Sequence, residues 1–100
     1  MSIKKEKVSK LDMTEVLNCR CVPTKLYLEI QHQMHMRLKN VLPNKLYTLK
    51  MMCGEEFWGD MNSWQQRESG RAFAHMVKLG IFQFEFIKYK KSPTKRYLLK

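Results

Sequence analysis

The chain has 100 residues, and 44% of them are hydrophobic, which is enough for one domain with a modest core and argues against general disorder. Lysine and arginine number 19 against 9 aspartate and glutamate residues, so the formal net charge is +10. A field of this sign attracts polyanions, namely nucleic acid, an anionic membrane surface or an acidic protein. The length argues against a second catalytic lobe.

The positive charge is concentrated at the two ends of the chain. Residues 1–40 carry eight basic and four acidic groups, residues 41–80 carry five and four, and residues 81–100 carry six and one. We therefore expect basic appendages around a nearly neutral middle. The first appendage is an N-terminal arm with an irregular segment at residues 1–23, followed by the domain at residues 24–100. The cations of this arm are Lys4, Lys5, Lys7 and Lys10.

Cysteine usage and hydropathy predict a reduced, cytoplasmic setting. Residues 1–12 lack the apolar stretch of a secretory signal, and no apolar run approaches the length of a membrane span. Two cysteines and two histidines lie close enough in sequence to suggest a zinc site, namely Cys19, Cys21, His32 and His35. However, C-x-C followed by H-x-x-H is not a common finger spacing. We therefore expect free thiols, no metal and no other cofactor.

The first half of the chain predicts one long helix. Residues 13–17 are expected to form a helical turn, and irregular structure should follow as far as Pro23, because proline disfavours helix at the preceding residue. Thr24 is a candidate cap for a helix over residues 25–39. The apolar stripe of this helix consists of Leu26, Ile30, Met34, Leu38 and Val41.

Two further helices are predicted in the middle of the chain. A short extended piece at residues 45–48 precedes a second helix at 49–58, although Gly54 weakens this helix by about 1 kcal/mol relative to alanine. Its inward side chains are expected to be Leu49, Met52, Cys53 and Phe57. A turn then leads to a third helix at residues 64–79, capped by Asn62 or Ser63 and terminated by Gly80.

The third helix has an apolar back and a polar face. At 100° per residue, Arg67, Lys78, Arg71 and His75 fall within about 80° of one another, with Glu68 at the edge of that face. Arginine offers a fork that fits guanine or a phosphate, and glutamine in the first turn can read adenine. The helix could therefore enter a DNA groove, but a solvated surface helix of a basic protein shows the same stripe.

The C-terminal segment predicts a β-hairpin with a basic loop. After Gly80 the hydrophobic period changes from 3.6 to two, with Phe82, Phe84 and Phe86 on the core side of a strand at 81–89 that pairs with a strand at 96–99. Lysine and proline protect edge strands from aggregation, whereas clustered cations also bind phosphates. An exposed aromatic face would instead stack single-stranded bases, as in RNA binding. The cations of the hairpin are Lys88, Lys90, Lys91, Lys95 and Arg96.

From residue 46 to residue 99 the sequence resembles winged helix-turn-helix domains, especially those of small phage and prophage proteins. The segments that carry the resemblance are LYTLKMMCGEEFW, RESGRAFAHMVKLG and FQFEFIKYKKSPTKRYLL. The resemblance implies an α+β fold with a helix, a short strand, two helices and a C-terminal hairpin wing. It also implies DNA binding by the third helix and the wing, often as a homodimer, in the cytosol or nucleoid of a bacterial host.

We therefore expect a DNA-binding protein without catalytic residues, a transcriptional regulator or accessory factor from a phage or mobile element. The basic hairpin residues would hold phosphates, and the N-terminal arm would add affinity without specificity. The residues expected in the major groove are Gln65, Gln66, Arg67, Arg71, His75 and Lys78.

The alternative is a protein-interaction module, such as a phage-encoded inhibitor of a host factor. Adaptable methionine side chains suit partner surfaces, and the basic faces would match an acidic host protein. The residues of this surface would be Met51, Met52, Trp58, Met61 and Trp64. Enzymatic motifs such as a Gly-rich phosphate loop, HExxH or GxSxG do not occur in the sequence, and neither prediction involves a membrane.

Overall fold

The computed structural model describes residues 13–87 and 95–100. In these ranges the chain forms a small α+β domain with four helices and two antiparallel sheets. The helices are α1 (Thr24–Arg37), α2 (Leu49–Cys53), α3 (Glu55–Gly59) and α4 (Ser63–Leu79). The strands are β1 (Met13–Glu15), β2 (Cys21–Pro23), β3 (Leu46–Tyr47), β4 (Phe84–Ile87) and β5 (Arg96–Leu99). Single 3-10 turns occupy Leu17–Cys19 and Leu38–Asn40.

Residues 13–23 form a β-hairpin, so the predicted helical turn at 13–17 and the irregular segment after it are wrong. Strands β1 and β2 pair antiparallel, with Thr14 opposite Val22. The chain reverses at Asn18, whose φ is 61°, and the amide of Val16 donates to the carbonyl of Arg20 at 2.7 Å. The reversal places both valines in the core, where Val16 is 5% exposed and Val22 is fully buried.

Helix α1 confirms the predicted apolar stripe but not the predicted cap. Leu26, Ile30 and Met34 are buried against the core, as the spacing of four indicates. The helix begins at Thr24 and has no side-chain cap. The Thr24 hydroxyl lies 2.7 Å from the hydroxyl of Thr14 instead, which joins the helix to β1.

The predicted second helix is divided at Gly54 into α2 and α3. Gly54 has a φ of 95°, a conformation that side chains rarely adopt, and this ends the first helix after Cys53. The Arg37 guanidinium packs against the glycine, and its Nε donates to the carbonyl of Met52 at 3.4 Å. Of the predicted inward residues, Leu49, Met52 and Cys53 are buried, and Phe57 is partly buried.

Helix α4 has both of the predicted ends. Asn62 accepts from the Gln65 amide at 2.8 Å, and the Gln65 side chain accepts from the Asn62 amide at 2.9 Å, so the two residues form a capping box. Gly80 follows the last turn with a φ of 80°. The predicted apolar back is confirmed by the complete burial of Ala72, Phe73 and Met76.

The second sheet has the order β3–β5–β4 and packs against α4. Tyr97 on the central strand is opposite Tyr47 on β3 and Phe86 on β4. The rings of Phe84 and Tyr97 pack edge-on against Phe73 of α4. The pairing confirms the predicted hairpin, but its first strand begins at Phe84 and not at residue 81, because the Ile81 amide still donates to the Met76 carbonyl at the end of α4.

The prediction that Phe86 belongs to the core is wrong. Phe82 and Phe84 are 2% and 3% exposed, but Phe86 is 47% exposed. Phe86 lies on the edge strand, where its ring is 5.8 Å from that of Tyr97 and lines a cleft beside α4, so it stays accessible to solvent.

Candidate nucleic-acid interface

A groove of about 740 Å³ lies between α4 and β5, with α2 at one end. Its apolar lining includes Leu49, Trp58 and Tyr97, together with Gly70 of α4. Five cationic side chains line the same groove, namely Lys50, Arg67, Arg71, Lys95 and Arg96. Three elements that are distant in sequence therefore converge on one positively charged concave surface.

The groove follows one face of α4. Arg67, Gly70, Arg71, Ala74 and Lys78 repeat at intervals of three and four, which places them along one side of the helix. The first three line the large groove, and Ala74 and Lys78 line a smaller one of about 200 Å³. The two grooves share Lys95 and Tyr97, so the cations of the helix and the strand flank a continuous surface.

Gly70 leaves the helix side of the groove open. A Cβ atom built at this position has no neighbouring atom within 4 Å other than the helix's own backbone. The glycine is therefore not required by helix packing, although it lies in the middle of α4. Its lack of a side chain instead leaves open space in the groove wall that it forms together with Arg67 and Arg71.

Arg71 is held in place by Glu68. Its Nη1 donates to the Glu68 carboxylate three residues earlier on α4, and the carboxylate is 7% exposed whereas the arginine side chain is 35% exposed. Glu68, predicted at the edge of the polar face, is thus a buried partner of a groove residue. Arginine has further donors, which can serve a ligand while the ion pair is kept.

His75 is not among the residues that line either groove. Its Nδ1 lies 2.9 Å from the hydroxyl of Tyr27 on α1, and the two rings pack edge-to-face at 5.7 Å. Burial raises the pKa of Tyr27, whose hydroxyl is protonated at neutral pH and shares this hydrogen bond with the imidazole. The histidine therefore joins α1 to α4. It lies at the edge of the predicted polar face that is farther from Arg67.

The two glutamines of the first turn are also engaged within the protein. Gln65 belongs to the capping box. Gln66 lines the large groove, but its Nε2 donates to the carbonyls of Trp58 at 3.0 Å and Met61 at 3.3 Å. Both side-chain amides therefore hold the loop that precedes α4 against the first turn of the helix.

Only part of the predicted hairpin surface lies within the described residues. Lys95 is exposed and Arg96 is partly buried, and both line the large groove. Lys88, Lys90 and Lys91 lie outside the described residues, as do all four lysines of the N-terminal arm. The described part thus brings Lys95 and Arg96 together with Arg67 and Arg71.

The predicted protein-partner surface is divided by the fold. Met52 is 2% exposed and belongs to the core, so its assignment to a surface is wrong. Trp58 lines the cationic groove, and Met61 is partly buried and accepts from the Ser69 hydroxyl at 3.2 Å. Met51 and Trp64 are exposed, at 51% and 47%.

Lys50 and Tyr97 are groove residues that the sequence did not reveal. Lys50 lies in the short helix α2, outside any basic cluster, and Tyr97 lies in β5, where it follows two cations of the predicted hairpin. They reach the groove because β3 pairs with β5, with Leu46 opposite Leu98. The sequence carries no signal for this pairing.

Cys19 and Cys21 are exposed free thiols, and Cys53 is buried. Burial raises the pKa of Cys53 to about 12, an effect that the nearby Arg37 partly offsets. Within residues 13–87 and 95–100, no three histidine, cysteine or acidic side chains are grouped so as to hold a metal ion. No helix in this part of the chain is both long and apolar enough to cross a membrane.

Comparison with protein-family models, with curated proteins and with solved structures finds no match for this chain.

Proposed function

We propose that this protein is a winged-helix nucleic-acid-binding protein, and that it binds DNA through α4 and the C-terminal hairpin as a small regulator or accessory factor of a phage or mobile element. The observation that carries the proposal is the groove between α4 and β5, where five cations from three elements face one concave surface. The positive charge of this surface, which Glu68 compensates at Arg71, attracts a polyanion, and the polyanion releases its own counterions when it binds.

The arrangement of elements supports the winged-helix assignment. The order of the major elements, from α1 through β3 and three helices to the hairpin β4–β5, is compatible with a winged helix whose second helix is divided. The sheet order β3–β5–β4 ties the hairpin back to the strand between the first two helices. The hairpin thereby lies beside α4, where a wing would accompany a recognition helix.

Within this proposal the side chains have different tasks. Arg67 and Lys78 are exposed on the groove side of α4 and would enter the major groove, with Arg71 oriented by Glu68. Lys95 and Arg96 would contact phosphates. The hydrogen bonds of His75 and the two glutamines assign these residues to positioning α4.

The test is fluorescence-anisotropy binding to a mixed-sequence DNA duplex between about 50 and 200 mM salt. We expect affinity to fall steeply over this range, as six or more phosphate contacts require. Lys95→Ala should weaken binding and reduce the salt slope by roughly one, since one phosphate contact is removed. Lys39→Ala is the matched control, because Lys39 is exposed but lines neither groove. Absence of binding at the low-salt end would overturn the proposal.

Binding of an acidic host protein is the second candidate, favoured by the exposure of Met51 and Trp64. An apolar contact through these residues would persist at high salt, unlike phosphate binding. Sedimentation of the protein alone and with DNA tests whether it acts as the homodimer that the winged-helix resemblance implies.

A further inference from the structure

The large groove has the size of a small-molecule site. Its volume of about 740 Å³ lies in the range of clefts that enclose ligands, roughly 300–1,000 Å³. A double helix would lie across its rims, because paired and stacked bases are not free to enter a cleft. A single nucleotide has no such restriction and can place its base inside.

The walls of the groove combine the two kinds of group that a nucleotide needs. Trp58, which is partly buried, and Tyr97, which is largely buried, both belong to the apolar lining. Every nucleobase has a π-face that stacks on an aromatic side chain. The Tyr97 hydroxyl is uncharged at neutral pH, so it does not oppose a phosphate, and burial raises its pKa further, to about 12. The cations of α4 and β5 stand beside these aromatic groups.

We propose that this groove binds one unpaired nucleotide, with its base against Trp58 and its phosphate on Arg67, Arg71 and Lys95. The nucleotide is either free or part of a single strand, and the two sources share the same chemistry. This inference rests on the proposed function, because the same cations would contact duplex DNA and the phosphate of the unpaired nucleotide. It specifies which ligand the groove itself binds.

Gly70 is the position that determines access. It lies between the two arginines, and the space beside it is open. A leucine there would fill the groove without meeting an atom of the protein at its Cβ. Gly59 supplies the matched control, since its Cβ position is equally open and it does not line the groove.

The experiment follows Trp58 fluorescence in a Trp64→Phe variant, which leaves Trp58 as the single tryptophan of the chain. The probes are adenosine monophosphate, adenosine, inorganic phosphate and a short oligodeoxyadenylate. We expect saturable quenching by the nucleotide or the single strand, and binding at least about tenfold weaker for adenosine and for phosphate alone. Quenching by the mononucleotide identifies a free nucleotide as sufficient, and quenching by the strand alone identifies a nucleotide within a chain.

The steric variants complete the test. Gly70→Leu in the same background should abolish quenching, whereas Gly59→Leu should leave it unchanged, with thermal melting used to verify that both variants fold. The inference would be overturned if Trp58 fluorescence stayed unquenched at single-strand concentrations that saturate the anisotropy signal. It would also be overturned if Gly70→Leu bound the nucleotide as tightly as its parent. Neither result would contradict the proposal of duplex binding. Failure of the wild-type protein to bind duplex, strand and mononucleotide would overturn both proposals.

Discussion

At the scale of single residues, the Glu68–Arg71 pair links the fold to the groove. Among the described residues, Glu68 is the charged side chain that is buried. Its carboxylate is compensated by the guanidinium of Arg71, which lines the groove. A buried carboxylate is tolerated only when it is paired and hydrogen-bonded. Any change at Arg71 therefore acts on stability as well as on binding.

Arg71→Ala should lower the free energy of unfolding by about 1–3 kcal/mol, because it leaves the Glu68 carboxylate buried and unpaired. Adding Glu68→Gln removes the charge and should restore at least half of that loss. Urea unfolding at neutral pH measures both values. A double variant as unstable as Arg71→Ala would contradict the role given to Glu68. The 1–3 kcal/mol loss of specific DNA binding that we also expect for Arg71→Ala is therefore to be measured on protein shown to be folded.

Substitution by alanine should change the free energy of unfolding in opposite directions at two glycines. Gly70→Ala should raise the free energy of unfolding by about 0.5–1 kcal/mol, because Gly70 is helical and its Cβ position is open. Gly54→Ala should lower it by about 1–3 kcal/mol, because the φ of 95° is strained for alanine and the Arg37 guanidinium is 3.2 Å from the new Cβ. Thermal melting of the two variants checks the signs, and a change in the same direction would refute the argument.

At the scale of elements, α4 shows how a local signal fixes a helix. Its beginning is defined by a reciprocal pair of hydrogen bonds and its end by a left-handed glycine, and both signals lie within a few residues of the helix end that they define. The α2–α3 break is equally local in origin. In contrast, β1 and β2 flank a reversal at Asn18 that places Val16, two residues before it, and Val22, four residues after it, in the core with side chains of α1 and α4.

Asn62→Ala should destabilise the protein by about 1 kcal/mol, because it removes the side-chain acceptor of the capping box. Ser63→Ala is the control at the neighbouring exposed position, where alanine favours helix. Denaturant midpoints compare the two. If they shift equally, the capping box contributes nothing to stability.

At the scale of the whole molecule, one core contains side chains of α1, α2, α4 and the second sheet, and Phe73 of α4 is fully buried in it. Cys53 and Tyr97 belong to this core, and burial raises the pKa of each to about 12, from ordinary values of 9.0 and 10.0. The native protein therefore keeps two protons that the unfolded chain releases in alkaline solution.

The free energy of unfolding should accordingly fall as pH rises from about 9 towards 12, and should carry the full contribution of both groups below pH 9. Each group contributes a slope of at most about 1.4 kcal/mol per pH unit. Cys53→Ala should flatten the slope between pH 9 and 10, whereas Cys19→Ala, at an exposed thiol, should not. Urea unfolding at pH 8 to 11 gives the profile, and an unchanged slope in Cys53→Ala would exclude this origin.

The sequence by itself determined the features that depend on neighbouring residues. The spacing of apolar residues fixed α1 and the back of α4, the change of period located β4 and β5, and Asn62 and Gly80 fixed the helix ends. The same reasoning misplaced Phe86, because alternation along a strand shows which side a residue occupies but not where the core ends.

Only the tertiary structure decided which polar side chains are available to a ligand. Arg67 and His75 share a face in projection, yet one lines the groove and the other bonds Tyr27 across a separation of 48 residues. Lys50 lines the same groove as Lys95 because β3, which leads into α2, pairs with β5. Periodicity reports the direction of a side chain around its own helix, whereas its partners are set by elements that pack from elsewhere in the chain.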